Sequence, residues 1–329
     1  MKPLPLPIRW GIVGCGDVCE VKSGPAFQKI EGSFLQAVMR RDAAKAADYA
    51  TRHGVGQWYD DAKALIHDPA VDAIYVATPP HAHAQYALMA AEAGKPVYVE
   101  KPMARTHEEC QTMLAACRKA GVPLFVAYYR RRLPQFLKIQ ELLQSQAIGE
   151  VRMANIRLFQ SVDPALVRKQ QLKNWRVDPQ IAGGGYFFDL ASHQLDLMDF
   201  WFGKIEAVQG LAVNQAALYE AEDLVSASWR HENGVIGSGT WCFTVAENAT
   251  REEGEIIGSQ GSIRFQFFGK PEVILETESG QESFSFAQSP HIQQPLIQSV
   301  MDHLTGKGTC PSMGESAART NWVMDQIVR

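Results

Sequence analysis

Three ionisable side chains stand where they could act on a small molecule. Lys101 lies in Val99-Glu100-Lys101-Pro102, directly after the short apolar run Val97-Tyr98-Val99. Asp189 and His193 follow Gly183-Gly184-Gly185 on a segment of helical pattern, and their i, i+4 spacing predicts that both lie on one helix face. A core face would call for apolar residues at those positions. Imidazole titrates near neutrality and suits proton exchange. The plainer alternatives are a solvated lysine and a histidine that satisfies a buried carbonyl. Asp196 lies near the same face, which raises the question of a metal. Catalytic zinc usually has three protein ligands, and one histidine with carboxylates matches that poorly, so no metal is expected.

A second constellation is a turn. Gly11-Ile12-Val13-Gly14-Cys15-Gly16-Asp17-Val18-Cys19 follows a first apolar run, Ile8 to Val13, and opens a helical segment. Gly14 permits the tight turn, and Gly16 lets a pyrophosphate approach main-chain N–H groups, with Asp17 and Val18 next to it. Cys19 stands where the third glycine of the fingerprint is usual. The second strand ends in Met39-Arg40-Arg41-Asp42. An acidic group at position 40 would accept from a free 2′-hydroxyl, whereas arginine neutralises a 2′-phosphate and stacks on adenine. NADP(H) is therefore favoured, with NAD(H) as the alternative; the plainer reading leaves both arginines exposed and makes Asp42 a helix cap. Thr78, Pro79 and His81 lie just past another strand's carboxyl end, where ligands of open α/β sheets bind.

The elements that would hold these groups alternate. Strands are expected at 8–13, 34–39, 73–77, 97–99 and 124–127. Helical patterns lie between them, from the turn to about Gly32, from Asp42 to His53, from His81 to Ala93, and from Thr106 to Ala120. Short apolar strands separated by helices imply right-handed crossovers and a parallel sheet. After about residue 127 the rhythm changes. A helix at 133–144 precedes an alternating strand at 151–159, and a second helix spans 186–202. Strands follow at 205–213, 224–231, 235–243, 254–258, 262–268 and 272–276, joined by short turns such as Glu232-Asn233-Gly234. Helices near 292–304 and 314–328 finish the chain. The expected domains are 1–127, binding a dinucleotide, and 128–329, binding substrate and mediating oligomerisation.

Composition excludes other classes. Lys+Arg total 32 against 36 Asp+Glu, a net charge of −4, which lacks the basic footprint of a nucleic-acid binder. With 46% hydrophobic and 21% charged residues the chain is an ordinary globular one. Three prolines within positions 3–7 do not suit a signal peptide, and no apolar run is long enough to span a bilayer, so a cytoplasmic location is expected. The six cysteines form no C-x-x-C pair and suit buried free thiols.

Together these features resemble the Gfo/Idh/MocA oxidoreductases over nearly the whole chain. The anchors are Gly14-Cys15-Gly16, Thr78-Pro79-Pro80, Glu100-Lys101-Pro102, Trp175-Arg176, Gly183-Gly184-Gly185 and Asp189…His193. The resemblance implies a doubly wound N-terminal Rossmann domain, then an α/β domain with a large, open, mostly antiparallel sheet, forming homodimers or homotetramers. It implies that Lys101 contacts both the substrate hydroxyl and the nicotinamide ribose, that Asp189 holds the substrate, and that His193 is the acid–base. The cofactor side would comprise Gly14, Gly16, Asp17, Val18, Arg40, Arg41, Thr78, Pro79, His81, Glu100 and Lys101. The substrate would be a sugar, polyol or related small molecule, with hydride transfer at a CH–OH carbon and no nucleic-acid or membrane partner. Tyr128, Arg130, Trp175 and Arg176 are the expected substrate contacts. One departure stands out: where many members carry an asparagine–arginine pair, this chain has Tyr128-Tyr129-Arg130-Arg131-Arg132, either a ligand or interface element or a solvated basic turn. An NAD-dependent glycosidase of the same fold and a non-catalytic, dinucleotide-binding sugar sensor are the competing readings.

Overall fold

The computed structural model describes residues 2–162 and 174–328, and all structural statements concern these. The chain forms two units, Met1–Tyr129 with Ser289–Ala318, and Arg130–Gln288 with Arg319–Arg329.

In the first unit, β1 (Ile8–Val13), β2 (Ser33–Met39), β3 (Gln57–Tyr59), β4 (Ala73–Val76), β5 (Val97–Val99) and β6 (Leu124–Val126) form a six-stranded sheet. Its order is β3-β2-β1-β4-β5-β6, parallel throughout. Every residue of β4, β5 and β6 is buried, as a sheet covered on both faces requires. The order reverses beside β1, so that β1 and β4 flank the switch point, where doubly wound sheets bind ligands at their carboxyl ends. The strand β3 carried no sequence signal because Gln57-Trp58-Tyr59 is a short, largely exposed edge. Asp42 and Thr106 cap their helices, accepting from the N–H of Lys45 and of Glu109. The first helix is not continuous: it breaks into Asp17–Val21 and Gly24–Lys29. Pro25 cannot continue the hydrogen-bond ladder, and Tyr49 donates to the Cys19 carbonyl at 2.8 Å beside the break.

The second unit carries an eight-stranded sheet. Its strands are β7 (Val151–Ser161), β8 (Ile205–Val213), β9 (Leu224–His231), β10 (Ile236–Val245), β11 (Arg251–Gly258), β12 (Gly261–Phe265), β13 (Glu272–Thr277) and β14 (Gly280–Ser285), in the order β14-β13-β12-β11-β7-β10-β9-β8. Only β7 and β10 pair in parallel; the other neighbours are antiparallel. Alternation is clean on β9, where Val225, Ala227, Trp229 and His231 are buried and the residues between them are exposed. The strand β14 is polar and exposed, which is why no apolar pattern announced it. Among the described residues no helix is long and apolar enough to cross a membrane, and all six cysteines are free thiols.

Candidate active site

The glycine turn sits at the carboxyl end of β1. Gly14 has φ +93°, and a Cβ there would lie 2.7 Å from Thr78 Cγ2 and 3.0 Å from the Thr78 backbone nitrogen, so only glycine lets the turn close on the loop after β4. A Cβ at Gly16 would meet nothing nearer than 3.9 Å, which leaves the approach to the following N–H groups open. Asp17 is exposed and Val18 half-buried at the start of the helix. Arg40 closes on this turn, its Nη1 donating to the Cys15 carbonyl at 3.4 Å, while Arg41 is exposed. Thr78 Oγ1 is buried with no hydrogen-bond partner among the described residues. An open N–H approach, an adjacent guanidinium and an orphaned hydroxyl are what a dinucleotide needs, so these residues fit one.

The loops after β4 and β5 are tied together by a residue the sequence reading passed over. His83 is fully buried, with Nε2 2.7 Å from the Thr78 carbonyl and Nδ1 3.1 Å from the Pro102 carbonyl. Burial pushes its pKa down, against the pull of the carbonyls. His81, named from the motif, is exposed, and Pro79 is half-buried. Glu100 is buried. Its Oε1 accepts from Tyr75 Oη and from Gln293 Nε2, each at 2.6 Å, and its Oε2 accepts from the Lys101 N–H at 3.2 Å. The Lys101 backbone is thus held by a buried polar network, and its half-buried side chain starts from a fixed point.

In the second unit, Asp189 and His193 do not share one α-helix. Phe187–Ala191 forms a π-helical turn, and the α-helix runs from Ser192 to Phe202. Such turns shift the register of the side chains that follow and recur at functional sites. Gly184 precedes the turn, and a Cβ there would lie 2.1 Å from the Phe188 ring and 2.9 Å from Glu222 Oε1. Glu222, which the sequence analysis did not single out, accepts from the Gly185 N–H at 3.3 Å, and burial raises its pKa. His193 is buried, whereas Asp189 keeps partial exposure and pairs with Arg176, Nε to Oδ2 at 3.4 Å. Arg176 also lies over the Trp175 ring, 4.5 Å from its centroid. Asn174 pins this segment to the helix start: its Oδ1 accepts from the Arg176 N–H, and its Nδ2 donates to Tyr186 Oη at 2.8 Å. Trp175, Arg176 and Asp189 therefore converge.

The arginine run divides by role. Arg131 is buried and grips Asp196 with two bonds, Nε to Oδ2 at 2.8 Å and Nη2 to Oδ1 at 2.7 Å. Asp199 lies 3.8 Å from the same guanidinium and takes two bonds from Arg319. The reading of this run as a solvated turn does not hold for Arg131, because a buried carboxylate claims it. Burial raises the Asp196 pKa and Arg131 opposes the rise. Among the described residues no group of three or more His, Cys, Asp or Glu side chains could hold a metal. Arg130 is buried, donates from Nε to the Phe267 carbonyl at 3.0 Å, and covers the Phe268 ring. Tyr128 is fully buried and belongs to the apolar cluster of the parallel-sheet unit.

A sheet of this order with a glycine turn on its first strand defines a dinucleotide-binding α/β protein. Residues 8–128 match the oxidoreductase family with an NAD-binding Rossmann fold, and residues 136–264 match the GFO/IDH/MocA C-terminal domain. The chain belongs to the Gfo/Idh/MocA oxidoreductase family and is an NAD(P)-dependent oxidoreductase. It is 43% identical over 319 residues to oxidoreductase P35 of Formosa agariphila, covering 97% of each chain. It is 30% identical over 258 residues to a 1,5-anhydro-D-fructose reductase of Ensifer adhaerens, covering 78% of this chain and 74% of that protein. Its fold is also that of a levoglucosan dehydrogenase solved with NADH and levoglucosan, with TM-score 0.87 and 22% identity, covering 97% of this chain and 95% of the other.

Proposed function

We propose that the chain transfers a hydride between NADP(H) and a CH–OH carbon of a sugar, polyol or related carbonyl compound. The observation that carries this reading is the setting of Asp189 and His193. A half-buried carboxylate paired with Arg176 precedes a buried imidazole by four residues, across a π-helical turn. His193 exchanges the proton of the reacting hydroxyl: it takes the proton on oxidation and returns it on reduction. Lys101 donates to the same oxygen and favours its alkoxide character, and Asp189 accepts from a neighbouring hydroxyl. Trp175 offers a face to a sugar ring, and Arg176 offers donors to its hydroxyls. The coenzyme, when bound, supplies or accepts the hydride. The main-chain N–H groups of Asp17 and Val18, at the start of the helix after Gly16, suit its pyrophosphate, and Thr78, Pro79, His81 and Glu100 border it. Arg40, held against the turn, supports NADP(H) over NAD(H) because a guanidinium there would neutralise a 2′-phosphate. On this reading the first unit serves the coenzyme and the second the substrate.

Association of copies through the large sheet is part of the same proposal. Met153, Leu211, Val213 and Ile236 are exposed on one face of β7, β8 and β10. The sugar-like substrate rests on the family and on relatives such as the anhydrofructose reductase.

The test is a screen of sugars, inositols, keto-sugars and diols, followed by NADPH absorbance and repeated with His193→Ala. The variant should lose roughly 10²–10⁴ in kcat with coenzyme affinity unchanged. A kcat near wild type would remove His193 from the acid–base role.

A further inference from the structure

The turn between β12 and β13 carries two adjacent phenylalanines with different surroundings. Phe267 is buried, stacked on Phe136 and edge-to-face with Phe265, as a core residue is. Phe268 is only half-buried, yet it is held between an arginine and a histidine. The Arg130 guanidinium carbon lies 4.4 Å from its ring centroid, and the His193 imidazole meets it edge-on, with centroids 6.1 Å apart at 70°. The turn itself is clamped. The Glu252 carboxylate accepts from the N–H groups of Phe267, Phe268 and Gly269, and Gln266 Oε1 accepts from the Lys270 N–H at 2.9 Å. Arg130 adds its bond to the Phe267 carbonyl. So much fixing of a half-buried ring does little for the core, which Phe267 already fills.

We propose that Phe268 is a positioning residue for His193, and that Glu252 and Arg130 hold it there. This rests on the reading of His193 as the acid–base. A proton donor must sit within hydrogen-bond reach of the reacting oxygen, and small displacements from that geometry are costly. An apolar ring packed against the imidazole restricts its rotation.

The experiment is a double-mutant cycle on kcat, with coenzyme affinity and thermal midpoint measured alongside. Phe268→Ala in the wild-type background should lower kcat by roughly 10–100-fold with coenzyme affinity unchanged. Phe268→Tyr, which keeps the ring, should restore it. In the His193→Ala background, Phe268→Ala should change kcat by less than about twofold, because its route is already gone. If Phe268→Ala does not fold, Glu252→Gln is read in the same two backgrounds with the same expectation and a smaller loss. An equal loss with and without His193, or no loss in either, overturns this inference alone. A kcat near wild type for His193→Ala overturns the acid–base reading and this inference with it.

Discussion

Gln293 donates from Nε2 to Oε1 of Glu100 at 2.6 Å, although 193 residues separate them in the chain. The same amide accepts from Tyr98 Oη at 3.0 Å, and Tyr75 donates to the same carboxylate oxygen. The late segment Ser289–Ala318 thereby completes the buried network beneath Lys101.

Gln293→Leu removes a donor to the buried Glu100 carboxylate and the acceptor of a buried phenol. Leaving such groups unmatched costs about 1–3 kcal/mol, which urea unfolding will read as a lower midpoint. An unchanged midpoint would mean that the network does not need the amide.

Arg40→Ser should raise KM for NADPH by roughly 10–100-fold, the worth of a charge-assisted bond, and leave KM for NADH nearly unchanged. Steady-state kinetics with both coenzymes decides it. A parallel rise in both would assign Arg40 to the turn rather than to the 2′-phosphate.

Arg131→Met strands Asp196 as a buried carboxylate without its partner. Breaking a buried pair in this way costs about 3–5 kcal/mol, so the variant should be strongly destabilised in urea. Raised substrate KM with unchanged stability would instead make Arg131 a ligand residue.

Glu20 gives a pH dependence of known sign. The Arg52 guanidinium, followed by His53, holds its carboxyl down to about 2, well below the ordinary value of 4.5. A depressed acid contributes stability that is complete above the ordinary value and is lost as pH falls toward the folded one. Arg52 is nearly half exposed, so the contribution should stay below about 1 kcal/mol. The thermal midpoint of Glu20→Gln should lie below that of wild type at pH 7, and the gap should narrow from pH 5 to pH 3. A gap that widens on acidification would contradict the assignment.

Much of the frame was legible because its physics is local. Buried parallel strands read as apolar runs, and the caps at Asp42 and Thr106 need only a few neighbouring residues. Polar edges such as β3 and β14 left no apolar run to read, and the π-helical turn at Phe187–Ala191 broke the 3.6-residue period on which the Asp189–His193 argument relied. The partners of functional groups were the least visible. His83 between two loops, Gln293 on Glu100, Glu222 on Gly185 and Glu252 under Phe268 are bonds between residues remote in the chain, and remote bonds leave no periodic trace.

The sequence alone determined the strand–helix alternation, the glycine turn on the first strand, and the candidacy of Lys101, Asp189 and His193 for the proposed chemistry. Only the tertiary structure decided that Arg131 is spent on Asp196, that Arg40 closes on the glycine turn, and that Ser289–Ala318 returns to the first unit. The reason is desolvation. What a charged or polar side chain does depends on which partner meets it once water is removed, and that partner is chosen by packing rather than by position in the chain.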